Sequence, residues 1–288
     1  MNSWLLAIRP KTLSAAVVPV LMGSGLALHE PAEFLGVIFF ATLFGALFIQ
    51  IATNFINDAL DFKKGADTGE RIGPIRVTQA GLLSADTVMR AAYVCFFLAA
   101  LCGIPLVLRG GWPLIVIGIA SILAAYAYTG GPYPLAYHGL GELFVIGFFG
   151  FVAVAGTYFV QSLQMHPSIL VAGFAAGSLA TVLLAINNLR DEATDRVSNK
   201  RTVAVRFGSR FARFEIAFFA LAPFVAAAFV AWTRGNPWIL LSLLALPIAI
   251  AVVACVMRSE GAALNRCLGL SGALQWVFGV LFAIGAVL

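Results

Sequence analysis

The chain has 288 residues, of which 61% are hydrophobic and only 11% charged, with a net charge of +5. Mean hydropathy is +0.97. A soluble domain is about 45–50% apolar and about 25% charged. The departure excludes a soluble globular enzyme, a disordered protein and a nucleic-acid binder. It predicts one all-α membrane domain over residues 1–288, with the lipid bilayer as its main solvent.

A spanning helix needs roughly 20 apolar residues. Nine candidate spans follow: about 12–28, 35–62, 86–108, 112–129, 139–161, 168–190, 211–232, 237–257 and 265–287. The N-terminus, MNSWLLAIRPKTLSAAVVPV, has no early charge and no clear cleavage site before a long apolar run, so a cleaved signal peptide is not expected. His29-Glu30-Pro31, Arg109-Gly110-Gly111, Gly130-Gly131-Pro132, His166-Pro167 and Arg234-Gly235-Asn236-Pro237 punctuate the spans. Two connections are long and charged, at about 63–85 and 191–210. Gly173 and Gly177 form a GxxxG, which reads as close helix packing. The cysteines at 95, 102, 255 and 267 lie in apolar stretches without CxxC spacing, so neither a disulfide nor a zinc site is expected.

With nine spans the termini lie on opposite sides. Sixteen of the eighteen Lys/Arg then fall on one face, and only Arg109 and Arg234 on the other. The positive-inside rule makes the crowded face cytoplasmic, together with the N-terminus and both charged connections. The localisation expected is a multi-pass protein of the cell (inner) membrane.

Spans two and six each end in an Asn/Asp cluster that opens a basic connection. The first reads NFINDALDFKKGADTGER from Asn54 to Arg71. At 100° per residue, Asn54, Asp58 and Asp61 share one helix face, with Asn57 near its edge. The second reads NNLRDEATDRVSNKRT from Asn187 to Thr202, with Asn187, Asp191 and Asp195 spaced i, i+4, i+8. Each acid near a bilayer costs up to about 2.5–3.5 kcal/mol, so such a set points to function. Oxygen ligands without His or Cys favour a hard cation, Mg²⁺ above all where a phosphate shares the site. Lys63, Lys64, Arg71 and Arg76 flank the first cluster. Arg190, Arg196, Lys200, Arg201 and Arg206 flank the second. Four aspartates balance two Mg²⁺, and the flanking Arg and Lys are then left to balance a diphosphate.

The sequence resembles the UbiA superfamily of intramembrane aromatic prenyltransferases, whose motifs are NDxxDxxxD and DxxxD. Here they read NDALD at 57–61 and DEATD at 191–195. Gly65 replaces the last acid of the first motif, and the next acid is Asp67. With AIRPKTL at 7–13, IGPIR at 72–76, YTGGPYPLAYHGLGE at 128–142 and NKRTVAVRFG at 199–208, the pattern is similar to the 1,4-dihydroxy-2-naphthoate (menaquinone) branch.

The resemblance implies transfer of a polyprenyl group from its diphosphate to an aromatic acceptor, 1,4-dihydroxy-2-naphthoate first, with loss of CO₂ to give the reduced precursor of demethylmenaquinone. Asp58, Asp61, Asp191 and Asp195 are the expected Mg²⁺ ligands, oriented or supplemented by Asn54, Asn57 and Asn187. Arg71, Arg76, Lys200 and Arg201 are the expected diphosphate binders, with Arg9 reaching the cytoplasmic mouth. Asp67 is a supporting acid or an acceptor-deprotonating base. Tyr128 is the tyrosine expected to hold the diphosphate or face the carbocation, ahead of Tyr126 and Tyr133. Two alternatives stay open: another acceptor such as 4-hydroxybenzoate, and an ion-coupled membrane transporter. Against the transporter, the acids lie at helix ends beside basic connections, not at the midplane.

Overall fold

The computed structural model describes residues 2–65, 73 and 75–288. Asp67 and Arg71 lie outside the described residues, which contain helices and turns but no strand. The helices are α1 (Ser3–Ile8), α2 (Ser14–Ala27), α3 (Gly36–Lys63), α4 (Ala85–Gly110), α5 (Trp112–Ala127) and α6 (Gly141–Ser162). They continue as α7 (Pro167–Arg190), α8 (Glu192–Val197), α9 (Val203–Arg234), α10 (Pro237–Arg258) and α11 (Leu264–Val287).

Among the described residues seven helices are long and apolar enough to cross a bilayer: α3, α4, α6, α7, α9, α10 and, with its leading turn, α11. An eighth crossing is the α1–α2 pair, bent by 47°. The fourth expected span, α5, has only 16 residues and falls short of the length for an untilted crossing. The expectation of nine spans thus stands as seven, or eight with the bent pair.

Local sequence explains the boundaries. Ser84 caps α4 by accepting from the Thr87 N–H, and Asn236 caps α10 through the Trp238 N–H. Gly208, at φ 83°, breaks α9 just before the expected span start at 211. The first nine residues of α10, Pro237–Ala245, wind as a 3₁₀ helix.

Helix α7 is the central element, with 72% of its apolar window buried against 22% for α3 and α4. One core cluster joins residues of α2, α6, α7, α9, α10 and α11. A second joins α1, α3 and α4 around Phe55, Ile56 and Val88. Large apolar side chains such as Val225, Trp232 and Phe97 point outward, as lipid contact requires.

The GxxxG of α7 is a packing surface. Its glycines meet a seven-residue π-helical segment of α6, Ile146–Val152. A Cβ on Gly177 would lie 2.9 Å from the Ile146 Cα, and one on Gly150 only 2.5 Å from the Gly173 carbonyl oxygen. This close approach turns Phe148 and Phe149 into the cavity described below.

The two basic residues of the opposite face are both committed to packing. Arg234 pairs with Glu30, which also accepts from the Tyr158 hydroxyl at 2.6 Å. Arg109 donates to the backbone carbonyls of Val160 and Gln161. Burial alone would push the Glu30 carboxyl up, but the hydrogen bonds from Tyr158 and Arg234 outweigh it and hold it below the usual range.

One expectation is overturned. Cys255 and Cys267 form a disulfide between the end of α10 and the start of α11, with Cα atoms 5.7 Å apart. They are 12 residues apart, and the turn between the helices brings them together. No CxxC spacing announced it.

Candidate active site

The C-terminal ends of α3 and α7 share one cavity of about 440 Å³. Its polar end holds Arg9, Asn54, Asn57, Asp61, Arg76, Tyr128, Asn187, Asn188, Arg190, Asp191, Asp195 and Lys200. Apart from Gln50, its remainder is apolar or small: Gly45, Ala46, Gly103, Leu114, Gly118, Phe148 and Gly156 are among the lining residues.

On α3 a polar stripe runs Gln50, Asn54, Asn57, Asp61, spaced i, i+4, i+7, i+11. It spans about 16 Å at 1.5 Å per residue. Asn54 donates to the Ile8 carbonyl at 2.9 Å and to the Thr12 hydroxyl at 3.0 Å, which fastens the N-terminal segment to α3. Asn57 accepts from the Thr129 hydroxyl. Arg9 lines the cavity from a left-handed conformation (φ 55°), sparsely populated by non-glycine residues.

Asp61 is buried, with both oxygens engaged. Arg76 donates to one at 3.2 Å and the Tyr137 hydroxyl to the other at 3.0 Å.

Asp58 departs from the helical-wheel expectation, because it does not line the cavity. Its carboxylate accepts from the Val77 N–H at 3.2 Å and the Thr78 N–H at 3.0 Å, and the Thr78 hydroxyl packs against it. These are the first donors of a turn closed by Ala80 N–H to Arg76 C=O, and they have no partner inside it. The carboxylate therefore caps the connection, and the cap sets Arg76 against Asp61. Arg9 stands 3.8 Å from Asp58.

The second cluster bends at Asp191, the residue between α7 and α8. Arg190, with a side chain 1% exposed, grips Asp191 through two parallel hydrogen bonds of 2.7 and 2.6 Å. Its remaining nitrogen donates to Asn265 at 2.9 Å. Lys200 lies 3.7 Å from Asp195. Asn187 donates to the Leu183 carbonyl, and Asn188 to the buried Glu142 at 2.8 Å.

Arg201 does not join the cavity. Its side chain is exposed and its backbone N–H donates to the Tyr137 carbonyl. Tyr128 lines the cavity, whereas Tyr126 is exposed and Tyr133 stacks on His138.

Three contributors escaped the sequence reading. Tyr137 lies in a connection where no periodicity singles it out. Arg190 was legible only as a flanking cation. Gln50 was findable, since it stands one turn before Asn54.

Among the described residues no three His, Cys, Asp or Glu side chains converge as a preformed metal cluster. The oxygen donors instead stand in two sets, Asn57 with Asp61 and Asn187 with Asp191 and Asp195. That suits Mg²⁺, which is commonly held by one or two carboxylates together with substrate phosphates. Partial burial pushes the Lys64 ammonium below the ordinary lysine range, opposed by Asp61.

The fold and site define a polytopic all-helical membrane protein whose apolar cavity ends in oxygen ligands and cations. The model of the UbiA prenyltransferase family matches residues 16–270, and the chain belongs to that family. It is 35% identical to the 1,4-dihydroxy-2-naphthoate octaprenyltransferase of Escherichia coli, over 89% of this chain and 85% of that one. Its fold matches the apo structure of a UbiA homolog from Aeropyrum pernix K1, with a TM-score of 0.74 and 14% identity over 99% of this chain and 98% of that one. It also matches a UbiA homolog from Archaeoglobus fulgidus bound to GPP and Mg²⁺, with a TM-score of 0.63 and 15% identity over 99% of each chain.

Proposed function

We propose that the chain transfers a polyprenyl group from its diphosphate to 1,4-dihydroxy-2-naphthoate, in a Mg²⁺-dependent reaction at the cytoplasmic end of the cavity. One observation carries the reading. Two sets of oxygen donors from α3 and α7–α8, interleaved with Arg9, Arg76, Arg190 and Lys200, close the end of an otherwise apolar cavity. A substrate with a charged head and a long hydrocarbon tail fits that division. The naphthoate is favoured because the Escherichia coli relative carries that acceptor in its name, and the NDALD–IGPIR segment agrees.

Asp61, Asp191 and Asp195, with Asn57 and Asn187, would hold Mg²⁺. Asp58 acts through the connection it caps. When bound, Mg²⁺ supplies charge compensation for the leaving diphosphate. Arg76, Arg190 and Lys200 are each paired with an acid, and their remaining donors would stabilise charge on the phosphate oxygens. The allylic C–O bond breaks with its electron pair on the diphosphate. The ring carbon that carries the carboxylate bonds to C1, and the carboxylate leaves as CO₂, returning its bonding pair to the ring. Tyr128, which lines the cavity, would offer its ring to the allylic cation. The apolar walls keep water from the allylic cation.

The test is an assay of purified protein in detergent, with a long-chain prenyl diphosphate, with and without Mg²⁺. The naphthoate and 4-hydroxybenzoate are offered separately. Magnesium-dependent, decarboxylated product from the naphthoate alone is expected. Product from the benzoate alone would keep the chemistry and change the acceptor. No product from either would remove the naphthoate assignment and bring the transporter reading forward.

A further inference from the structure

We propose that Tyr137 is a positioning residue for the diphosphate end of the cavity. It holds one lysine from each charged connection over its ring, and Asp61 through its hydroxyl. The inference rests on the functional reading above and adds to it a residue outside both acid motifs.

The geometry joins three parts of the chain. The Tyr137 hydroxyl donates to Asp61 at 3.0 Å, opposite the oxygen that Arg76 holds. The Lys64 ammonium lies 4.6 Å from the ring centroid, and that of Lys200 lies 5.9 Å from it. Both are within the roughly 6 Å over which a ring quadrupole attracts a cation. Lys64 follows the first acid cluster and Lys200 the second, so one ring holds a cation from each.

The ring itself is fixed by main chain. Tyr137 lies in the 3₁₀ turn Leu135–His138. Its carbonyl accepts from the Arg201 N–H at 3.0 Å, and the preceding Ala136 N–H donates to the Tyr128 carbonyl at 2.9 Å. Arg206 donates to the His138 carbonyl at 2.8 Å. Gly139 permits this approach. It sits at φ 68°, and a Cβ there would lie 2.7 Å from the Arg201 carbonyl oxygen.

Each ammonium also has a second partner: Lys64 donates to the Thr129 carbonyl at 2.5 Å, and Lys200 lies 3.7 Å from Asp195. Cation–π attraction is weaker than a charge-assisted hydrogen bond to phosphate. The ring therefore adds to these contacts in keeping both ammonium groups beside the acids, and does not itself compete with a diphosphate for them. The hydroxyl meanwhile fixes the rotamer of Asp61, as the outer hydrogen bonds of metal ligands do.

Two variants separate the two roles, read by calorimetric binding of inorganic pyrophosphate in MgCl₂ and by steady-state kinetics. Tyr137→Phe keeps the ring. It is expected to raise the Mg²⁺ half-saturation about tenfold while leaving pyrophosphate affinity at saturating Mg²⁺ within about twofold of wild type. Tyr137→Leu removes both roles. It is expected to weaken pyrophosphate binding and raise the KM for prenyl diphosphate about tenfold even at saturating Mg²⁺. The naphthoate KM stays unchanged in both. A uniform loss in both variants, with a lowered Tm and no such split, would reduce Tyr137 to a structural residue and overturn the proposal. When the Leu variant does not fold, the Phe variant decides alone, and an unchanged Mg²⁺ half-saturation overturns it. Wild-type protein that binds Mg²⁺-pyrophosphate without transferring to the naphthoate removes only the acceptor assignment. Wild-type protein that binds no Mg²⁺-pyrophosphate removes both.

Discussion

Thr78 donates its backbone N–H to Asp58 at 3.0 Å and packs its hydroxyl against the same carboxylate oxygen. The pair turns an acid of the first motif away from the cavity. Asp58→Ala is therefore expected to act through the fold. Losing these hydrogen bonds to a buried charge should cost about 2–3 kcal/mol. It should also raise the KM for prenyl diphosphate, because Arg76 loses its support. The Mg²⁺ half-saturation should move little. Thermal unfolding and a magnesium titration of the same sample check this, and a large magnesium shift would restore Asp58 as a ligand.

Asp61→Asn and Asp191→Asn are expected to behave differently from Asp58→Ala. Each removes a carboxylate that lines the cavity. Turnover should fall by at least about 10², equivalent to roughly 2.7 kcal/mol of transition-state stabilisation. The folded fraction, read by size exclusion, should stay near wild type. Near-normal turnover in both variants would remove the metal assignment.

Glu30 links stability to pH on the opposite face. Its folded pKa is depressed below 4.5, so its contribution is present above that value and is lost as pH falls through the folded pKa. Glu30→Gln leaves Arg234 without its ion-pair partner and should cost about 3 kcal/mol at pH 6. The Tm difference between wild type and variant should shrink below pH 4.5. A difference that stays constant down to pH 3 would mean the carboxylate charge is irrelevant there.

Gly150→Ala tests the close approach of α6 to α7. The new methyl would meet the Gly173 carbonyl oxygen, which belongs to backbone and cannot rotate away. About 1–3 kcal/mol of destabilisation is expected. Preference among prenyl diphosphates of different chain length should change as well, because Phe148 and Phe149 of the same π-helical segment line the cavity. An unaltered Tm would show that the helices separate without cost.

The cysteines divide two and two. Alkylation of denatured protein without reductant should add two adducts, at Cys95 and Cys102. Prior reduction should raise the count to four, by opening Cys255–Cys267. Intact-mass spectrometry reads this directly, and four adducts without reductant would mean the bridge does not form.

Much of this protein follows from sequence because lipid imposes a simple code. Backbone groups have no water to bond in a bilayer, so long apolar runs must be helices, and α3, α4, α7 and α11 lie where hydropathy put them. The expense of acids beside a membrane marked Asp61, Asp191 and Asp195 for the same reason, and all three line the cavity. Periodicity could not separate Asp58 from Asp61, because a helical wheel records direction and not what packs there. The capped turn at Arg76–Ala80 took Asp58, Tyr137 entered the site from a segment with no repeat to read, and Arg190 was visible only as a cation beside the second cluster. The Cys255–Cys267 bridge was likewise settled by how the helices meet. Composition fixes which segments leave water, while contacts between distant segments decide which polar side chains face the cavity, since those contacts depend on three-dimensional packing that no local pattern encodes.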